Sequence, residues 1–477
     1  MDFHVALANG GDLSGQIYGH IRAAILTGRL RPGDPLPPTR ELARQLEVAR
    51  NTVSVAYDRL AGEGFVTTKV GAGTFVSDEL QVGRQVRRRR IPGPLRPRAV
   101  WARVTAQPDL SAYEPEFDFR AGLPDARLFP YESWRHFVSR ELRASAVGNG
   151  ANSAAAGHLG LRAAIARHIG VSRGVEIAAT DVTVTNGVQQ ALDVIGRTVL
   201  EPGARVAMED PGYPLARHLF VSLGARVAPV PVDSEGLVVD AIPDDTELVY
   251  VSPSHQFPLG MAMSLRRRMA LLSWADRHRA AVVEDDYDSE FRFAGRPIEP
   301  LHTLDRGGRV LYVGTFSKVM LPTLRLGFVV APPSLQRALV LAKTVTDWHT
   351  SVPAQAALAR FIDTGLLARH IRKMRSVYRE RFQRVGEILA RDFGDCLEVI
   401  PSVAGLHLSA LASGLTVDET AAAAARAEAN GVAVAPLSQF ASDPARRERQ
   451  SGFVIGYGAI PTDRIEEGLR RFRACLP

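Results

Sequence analysis

The chain has 477 residues, 46% of them apolar, and a formal charge of +7 from 58 basic and 51 acidic side chains. That length exceeds one ordinary domain, and that apolar content is enough for two or three cores. Cys396 and Cys475 are the only cysteines, which excludes a disulfide framework and a paired-cysteine metal site and fits the cytoplasm; no metal is expected, and with no apolar run of membrane-spanning length and no secretory pattern at Met1-Asp2-Phe3-His4, no membrane partner either.

Apolar residues recur at Ile17, Ile21 and Ile25, so the spacing predicts a helix over 14–27, closed by Gly28. Arg31-Pro32-Gly33-Asp34-Pro35-Leu36-Pro37-Pro38 then breaks the chain. Thr39 is expected to cap a second helix with Leu42 and Leu46 on one face, and a third helix to follow from Asn51 with Val53, Tyr57 and Leu60 inward. Residues 65–68 and 74–76, joined through Lys69-Val70-Gly71-Ala72-Gly73, read as a hairpin. Three short helices and a hairpin make a winged helix-turn-helix.

Burial explains the apolar stripe, so a DNA-reading role rests on the exposed remainder: Arg40, Arg50, Asn51, Thr52 and Ser54, at the starts of helices two and three. Short polar and guanidinium side chains there reach base edges and phosphates. A generic three-helix interaction domain is the plain alternative. Against it, LPPTRELARQLEVARNTVSVAYDRLAGEGFVTTKVGAGTFV at 36–76 closely resembles the GntR-type winged helix. The resemblance implies that Arg40, Arg50, Asn51 and Thr52 contact double-stranded operator DNA and that Gly71 and Gly73 form the wing tip.

Charge is unevenly spread. Residues 1–80 carry eight basic and nine acidic side chains, whereas 81–98 carry seven arginines and no acid. Three prolines and a glycine over 91–98 interrupt regular structure and keep the flanking domains apart. Two readings stand for this segment: a solvated tether, or a basic arm whose Arg87 to Arg90 track phosphates beside the reading head.

Beyond the linker, Val182-Thr183-Val184-Thr185-Asn186-Gly187-Val188-Gln189 reads as strand, tight turn and helix start, an anion site in which Gly187 permits close approach. Tyr213, in Glu209-Asp210-Pro211-Gly212-Tyr213-Pro214, is a candidate ring to stack on a flat cofactor, with core packing the other reading. Ala281-Val282-Val283 runs into the acidic stretch 284–290 and reads as a buried strand ending in carboxylates, off which a ligand crevice lies. Lys318, one of four lysines, follows the apolar run 310–313 within Gly314-Thr315-Phe316-Ser317-Lys318. Desolvation there favours a neutral, nucleophilic amine, which suggests a Schiff base with pyridoxal 5'-phosphate (PLP). Asp285 suits the anion that a protonated pyridine nitrogen requires, and Tyr287 a hydrogen bond to the phenolic oxygen. Thr315 and Arg325 would complete the phosphate cup.

These segments, in this order and over residues from about 113 to 477, resemble a fold-type I aminotransferase. The resemblance implies an α/β PLP-dependent transferase body with a smaller C-terminal α+β part. It makes Lys318 the Schiff-base lysine, Asp285 the ring-nitrogen partner and Tyr287 the partner of the phenolic oxygen. Gly187, Val188, Gln189, Thr315 and Arg325 become the phosphate cup and Tyr213 the stacking ring. SPSHQFPLG at 252–260 takes the place of the family's Asn-Pro loop, and neither His255 nor Gln256 is given a role. The expected organisation is multidomain: a winged helix over 1–80, a linker over 81–112, a large domain over 113–350 and a small domain over 351–477.

A GntR-type head linked to an aminotransferase-like body is similar to the MocR/GabR family of transcription regulators. That implies a homodimer that reads two half-sites and answers to PLP, alone or as an external aldimine with an amine or amino-acid effector. Aminotransferases commonly clamp a substrate carboxylate with an arginine at the position that Val454 occupies, with Arg217 a possible substitute. The missing clamp favours PLP itself as the signal, in control of vitamin B6 supply. The competing class is a working aminotransferase with an appended DNA-binding domain; a third reading keeps the cofactor as structural only.

Overall fold

Local periodicity builds two separate units, residues 1–97 and 98–477. The computed structural model describes residues 12–69, 71–78, 96–104, 114–143, 153–295, 298–448 and 450–477, so Arg87 to Arg90 lie outside the described residues.

In the first unit, helix α1 (Leu13–Leu26) starts where the Asp12 side chain accepts from the Gly15 N–H at 2.9 Å. Its buried stripe Ile17, Ile21 and Ile25 packs on Val53, Ala56 and Leu60 of α3 (Arg50–Gly62). Helix α2 (Thr39–Gln45) differs from expectation at its start. Pro38 holds the cap position and Thr39 is already helical, so its hydroxyl is free to accept from Arg50 Nε at 3.4 Å. Helix α3 likewise begins one residue earlier than expected, at Arg50. Tyr57 on α3 donates to the Pro37 carbonyl at 2.8 Å and so ties it to the chain before α2. Strands β1 (Val66–Lys69) and β2 (Gly73–Val76) pair antiparallel as the wing.

The second unit opens with β3 (Phe117–Asp118) and is built on an eight-stranded sheet. Its strands are β4 (Val182–Thr185), β5 (Arg205–Asp210), β6 (Arg226–Asp233), β7 (Gly236–Leu237), β8 (Thr246–Val251), β9 (Ala281–Asp286), β10 (Val310–Thr315) and β11 (Gly327–Val330), in the order β4-β11-β10-β9-β8-β5-β6-β7. The central run from β10 to β6 is parallel, while β11 runs antiparallel to both neighbours. Strands β5, β8, β9 and β10 are buried on both faces, their residues alternating between two cores. Leu248, Tyr250 and Val283 face one side with Leu192 and Ile195 of α6 (Gly187–Val199), whereas Val249, Val251 and Val282 face the other with Leu271 and Trp274 of α8 (Leu265–His278).

Around this sheet pack α4 (Tyr131–Glu141), α5 (Leu159–Arg173), α7 (Pro214–Ser222), α9 (Pro333–Asp347) and α10 (Val352–Asp363). The long helix α11 (Leu366–Asp392) buries Leu367, Ile371, Met374 and Tyr378 at helical spacing. It leads to a second, antiparallel sheet of β12 (Leu397–Val399), β13 (His407–Ala412), β15 (Ala435–Pro436) and β16 (Gly452–Gly456), in the order β12-β13-β16-β15. Helices α12 (Val417–Ala429) and α13 (Ile465–Arg473) accompany it, and β14 (Val432–Ala433) pairs parallel with β3. Among the described residues no helix is long and apolar enough to cross a membrane, and both cysteines are free.

Candidate functional site

Strands β4, β5, β8, β9 and β10 end at one edge of the large sheet, and beside those ends lies a cavity of about 210 Å3. Of the nine body residues singled out from the sequence, all but Gly187 line it. Lys318 enters from the turn after β10, half-buried, with Nζ donating to the Gly122 carbonyl at 2.7 Å. Burial lowers its pKa, against the charges of Asp288 and Asp285 and with help from Arg325.

Asp285, near the end of β9, is 4% exposed. Its Oδ2 accepts from the Tyr250 hydroxyl at 2.5 Å, and its Oδ1 has no hydrogen-bond partner. Burial pushes the carboxyl up to about 7, opposed by the Tyr250 hydrogen bond and reinforced by Asp286. Register explains the Tyr250 contact: Tyr250 on β8 lies opposite Val283 on β9, so it points to the same face as Asp285 two residues on.

Tyr287 approaches His255, its oxygen 2.9 Å from Nδ1. The same nitrogen lies 3.0 and 3.2 Å from the two Asp288 oxygens, while His255 Nε2 is 3.3 Å from Ser402 Oγ. Gly405 makes room for this buried network, since a Cβ there would sit 2.0 Å from the His255 ring, and its φ of +90° suits glycine. Gln256 locks the 252–260 loop: its Nε2 donates to the Pro211 and Phe257 carbonyls, and its Oε1 accepts from Leu259 N–H. Tyr213 precedes α7 and meets Phe257 edge to face, with centroids 6.0 Å apart.

Gly187, at φ +75°, opens α6, and Val188 and Gln189 follow in its first turn. Arg325 donates to the Asn186 carbonyl at 2.8 Å, and a Cβ on Gly187 would come within 3.2 Å of its guanidinium. Thr315 Oγ1 accepts from Ser317 N–H at 3.1 Å. Hydroxyl, guanidinium and helix N-terminus thus sit at one end of the cavity, which is the donor set an oxyanion requires.

Val454 lies on β16, fully buried in an apolar cluster with Leu259, Leu437 and Phe440, against which the cavity residues Ala121 and Phe257 pack. Arg217 is not among the residues lining the cavity. Burial lowers its pKa, and the charges it meets are Asp210 and Arg447. Sequence reasoning passed over Tyr250, Ser252 and Asp288 and gave His255 no role. Tyr250 follows from strand register alone, but the His255 network joins segments that meet only in the folded chain.

In the first unit Arg40, Arg50 and Asn51 are exposed, and Thr52 and Ser54 half-buried, at the leading ends of α2 and α3. Among the described residues no carboxylate pairs with Arg40 or Arg50, so both guanidiniums are open to an external anion. Gly71 and Gly73 turn the wing with φ of +79° and +116°.

Comparison with known proteins gives a two-part match. The family model for aminotransferase class I and II matches residues 125–472, and that for bacterial regulatory proteins of the gntR family matches residues 13–76. The chain is 38% identical over 467 residues, 97% of its length and 93% of the relative's, to a probable rhizopine catabolism regulatory protein MocR of Rhizobium meliloti. It is 32% identical over 455 residues, 94% of its length and 93% of the relative's, to an HTH-type pyridoxine biosynthesis transcriptional regulator PdxR of Corynebacterium glutamicum. Among solved structures, LysN, an alpha-aminoadipate aminotransferase from Thermus thermophilus, superposes with a TM-score of 0.71 at 30% identity, over 79% of this chain and 96% of that one.

Proposed function

The chain belongs to the MocR/GabR type of transcription regulator, a GntR winged helix joined to an aminotransferase-like body, and from that premise we propose that it reads operator DNA with the first unit and senses PLP with the second. The observation that carries the sensing half is Asp285, whose buried Oδ1 is unpartnered at the wall of the cavity that also holds Lys318. A buried acceptor of that kind needs a donor, and a protonated pyridine nitrogen is one. PLP, when bound, supplies an aldehyde that condenses with an amine and a ring that accepts electrons.

In this reading Asp285 accepts from the ring nitrogen while Tyr250 holds its other oxygen. Lys318 offers an amine whose neutral form burial favours. Tyr287 offers its hydroxyl to the phenolic oxygen, oriented by His255 and Asp288. Gly187, Val188 and Gln189 present the N-terminus of α6 to the phosphate, with Thr315 and Arg325 beside it, and Tyr213 covers one face of the ring.

The apolar packing of Val454 leaves no cation there for the carboxylate of an amino acid, which supports PLP itself as the signal over an amine effector. A relative named for pyridoxine biosynthesis supports the same choice, control of vitamin B6 supply. To act as a signal PLP must bind one conformation of the body better than another. On the DNA side Arg40, Arg50, Asn51 and Thr52 meet the operator, Gly71 and Gly73 shape the wing, and a homodimer presents two heads. The organisation follows as winged helix over 1–80, linker over 81–112, large domain over 113–350 and small domain over 351–477.

A working aminotransferase is the second reading, favoured by the presence of Lys318, Asp285 and Tyr287 in one cavity. Near-visible absorbance of the PLP-loaded protein during addition of a panel of amines and amino acids separates the two, with Lys318→Ala as control. No response to any amine is expected. A persistent shift would identify an amine effector, and continuing release of a carbonyl product would establish the enzyme instead.

A further inference from the structure

Side chains alternate along β9, so Asp286 points away from the cavity that Asp285 lines. On that other side a second cavity of about 590 Å3 lies between the end of α5, the turn after β9 and the start of α11. Five guanidiniums stand in its wall: Arg167, Arg173, Arg292, Arg372 and Arg375. Arg173 is committed, with Nε to Asp286 at 2.8 Å and Nη2 to Ser254 at 2.8 Å. Arg375 gives Nε and Nη2 to the backbone carbonyl of Glu290, at 2.9 and 2.7 Å, which leaves its charge uncompensated.

No carboxylate pairs with Arg292, Arg372 or Arg375 among the described residues, and the Nε of Arg292 is buried without a hydrogen-bond partner. Burial and the charge of Arg173 act against the Arg292 cation. The rim acid Asp363 is already paired, with Arg167 at 2.6 Å. Glu290, the remaining acid in the wall, has an unpartnered buried Oε2 and is pushed up to about 8 by burial and by Asp286, which disfavours its anionic form. Burial lowers the pKa of His168, which disfavours its cation.

Three guanidiniums with no carboxylate partner around one concavity form a donor-rich, cationic surface. A tetrahedral oxyanion answers that need, because its several oxygens accept from more than one guanidinium at once. We propose that this cavity binds a phosphate group, free or on a small ester, through Arg292, Arg372 and Arg375. The volume exceeds that of one phosphate, which leaves room for the remainder of an ester. This site is separate from the cofactor cavity, and its occupancy does not depend on PLP.

The test is equilibrium binding of inorganic phosphate and of glycerol 3-phosphate to the full-length chain in chloride buffer, compared with Arg292→Gln and Arg372→Ala. The cofactor cavity also attracts phosphate, so the difference between wild type and variants is the reading; neither arginine lines that cavity. Wild type should show a saturable site that weakens at least tenfold in both variants, with tighter binding of the ester or of inorganic phosphate telling which source the site suits. Arg372 is exposed, so its alanine variant keeps the test alive if Arg292→Gln does not fold. Equal affinities in all three proteins, or no saturable binding, overturn the proposal. So does binding of duplex DNA alone with a salt slope reduced in Arg372→Ala, which would make these arginines backbone contacts.

Discussion

A carboxyl buried with one oxygen unpartnered is costly to ionise, and Asp285 is pushed up to about 7 for that reason. A raised folded-state pKa means that the folded chain holds this proton from the ordinary carboxylate range up to about pH 7, while the unfolded chain has lost it. Asp285 therefore subtracts stability as pH rises through that window, until a cation meets Oδ1. Lys318 has the opposite sign on stability, because its pKa is lowered in the fold, but for PLP binding it acts with Asp285, since rising pH frees its amine. The gain in unfolding temperature on adding PLP should thus be larger at pH 8 than at pH 6. Asp285→Asn should flatten that difference and weaken PLP binding about tenfold or more, the scale of a lost charge-assisted hydrogen bond. A gain equal at both pH values in wild type would count against the ring-nitrogen role. Lys318 and Asp285 were legible in the sequence because each ends an apolar run among residues of distinctive type. Tyr250 was not, since its contact depends on the pairing of β8 with β9, nor was His255, whose partners Tyr287 and Ser402 lie 32 and 147 residues away.

Elements were legible where hydrophobic period and turn chemistry agreed. The three helices and hairpin of the first unit fall where the Ile17-Ile21-Ile25 stripe and the Gly71-Ala72-Gly73 turn put them. The start of α2 was misplaced because Thr39 and Pro38 are both plausible at a cap; Pro38 takes the extended conformation there, and Thr39 is left to meet Arg50. At the leading end of α3, Arg50→Ala should weaken binding to all duplexes alike and lower the salt slope by about one. Thr52→Ala should instead change base preference, and fluorescence anisotropy across salt and sequence separates the two. An Arg50→Ala protein that keeps the wild-type salt slope would place the phosphate contact elsewhere. At α6, Gly187→Ala adds a Cβ at φ +75° that approaches the Arg325 guanidinium within 3.2 Å. The expected cost is about 1–2 kcal/mol of backbone strain, and PLP affinity should fall roughly tenfold while circular dichroism stays native. Unchanged PLP affinity would remove α6 from the phosphate cup.

At the scale of the whole molecule, two units must exchange free energy for PLP to alter DNA binding. A coupled ligand typically shifts the affinity of another by about 5-fold to 150-fold, and by linkage operator DNA shifts PLP affinity by the same factor. The division into reader and body was visible in the sequence because composition changes abruptly across the arginine-rich segment 81–98, whereas that segment's own role was not, since charge without periodicity specifies no partner. Neutral residues at Arg87 to Arg90 should lower the salt slope of operator binding if the arm tracks phosphates; an unchanged slope makes it a tether. The most direct measurement is operator affinity against PLP concentration, for wild type and Lys318→Ala, on a site selected from random duplexes. Wild type should shift its operator affinity at least fivefold as PLP saturates, and Lys318→Ala much less. An operator affinity that PLP leaves unchanged, or shifts equally in both proteins, would contradict sensing through the Lys318 cavity.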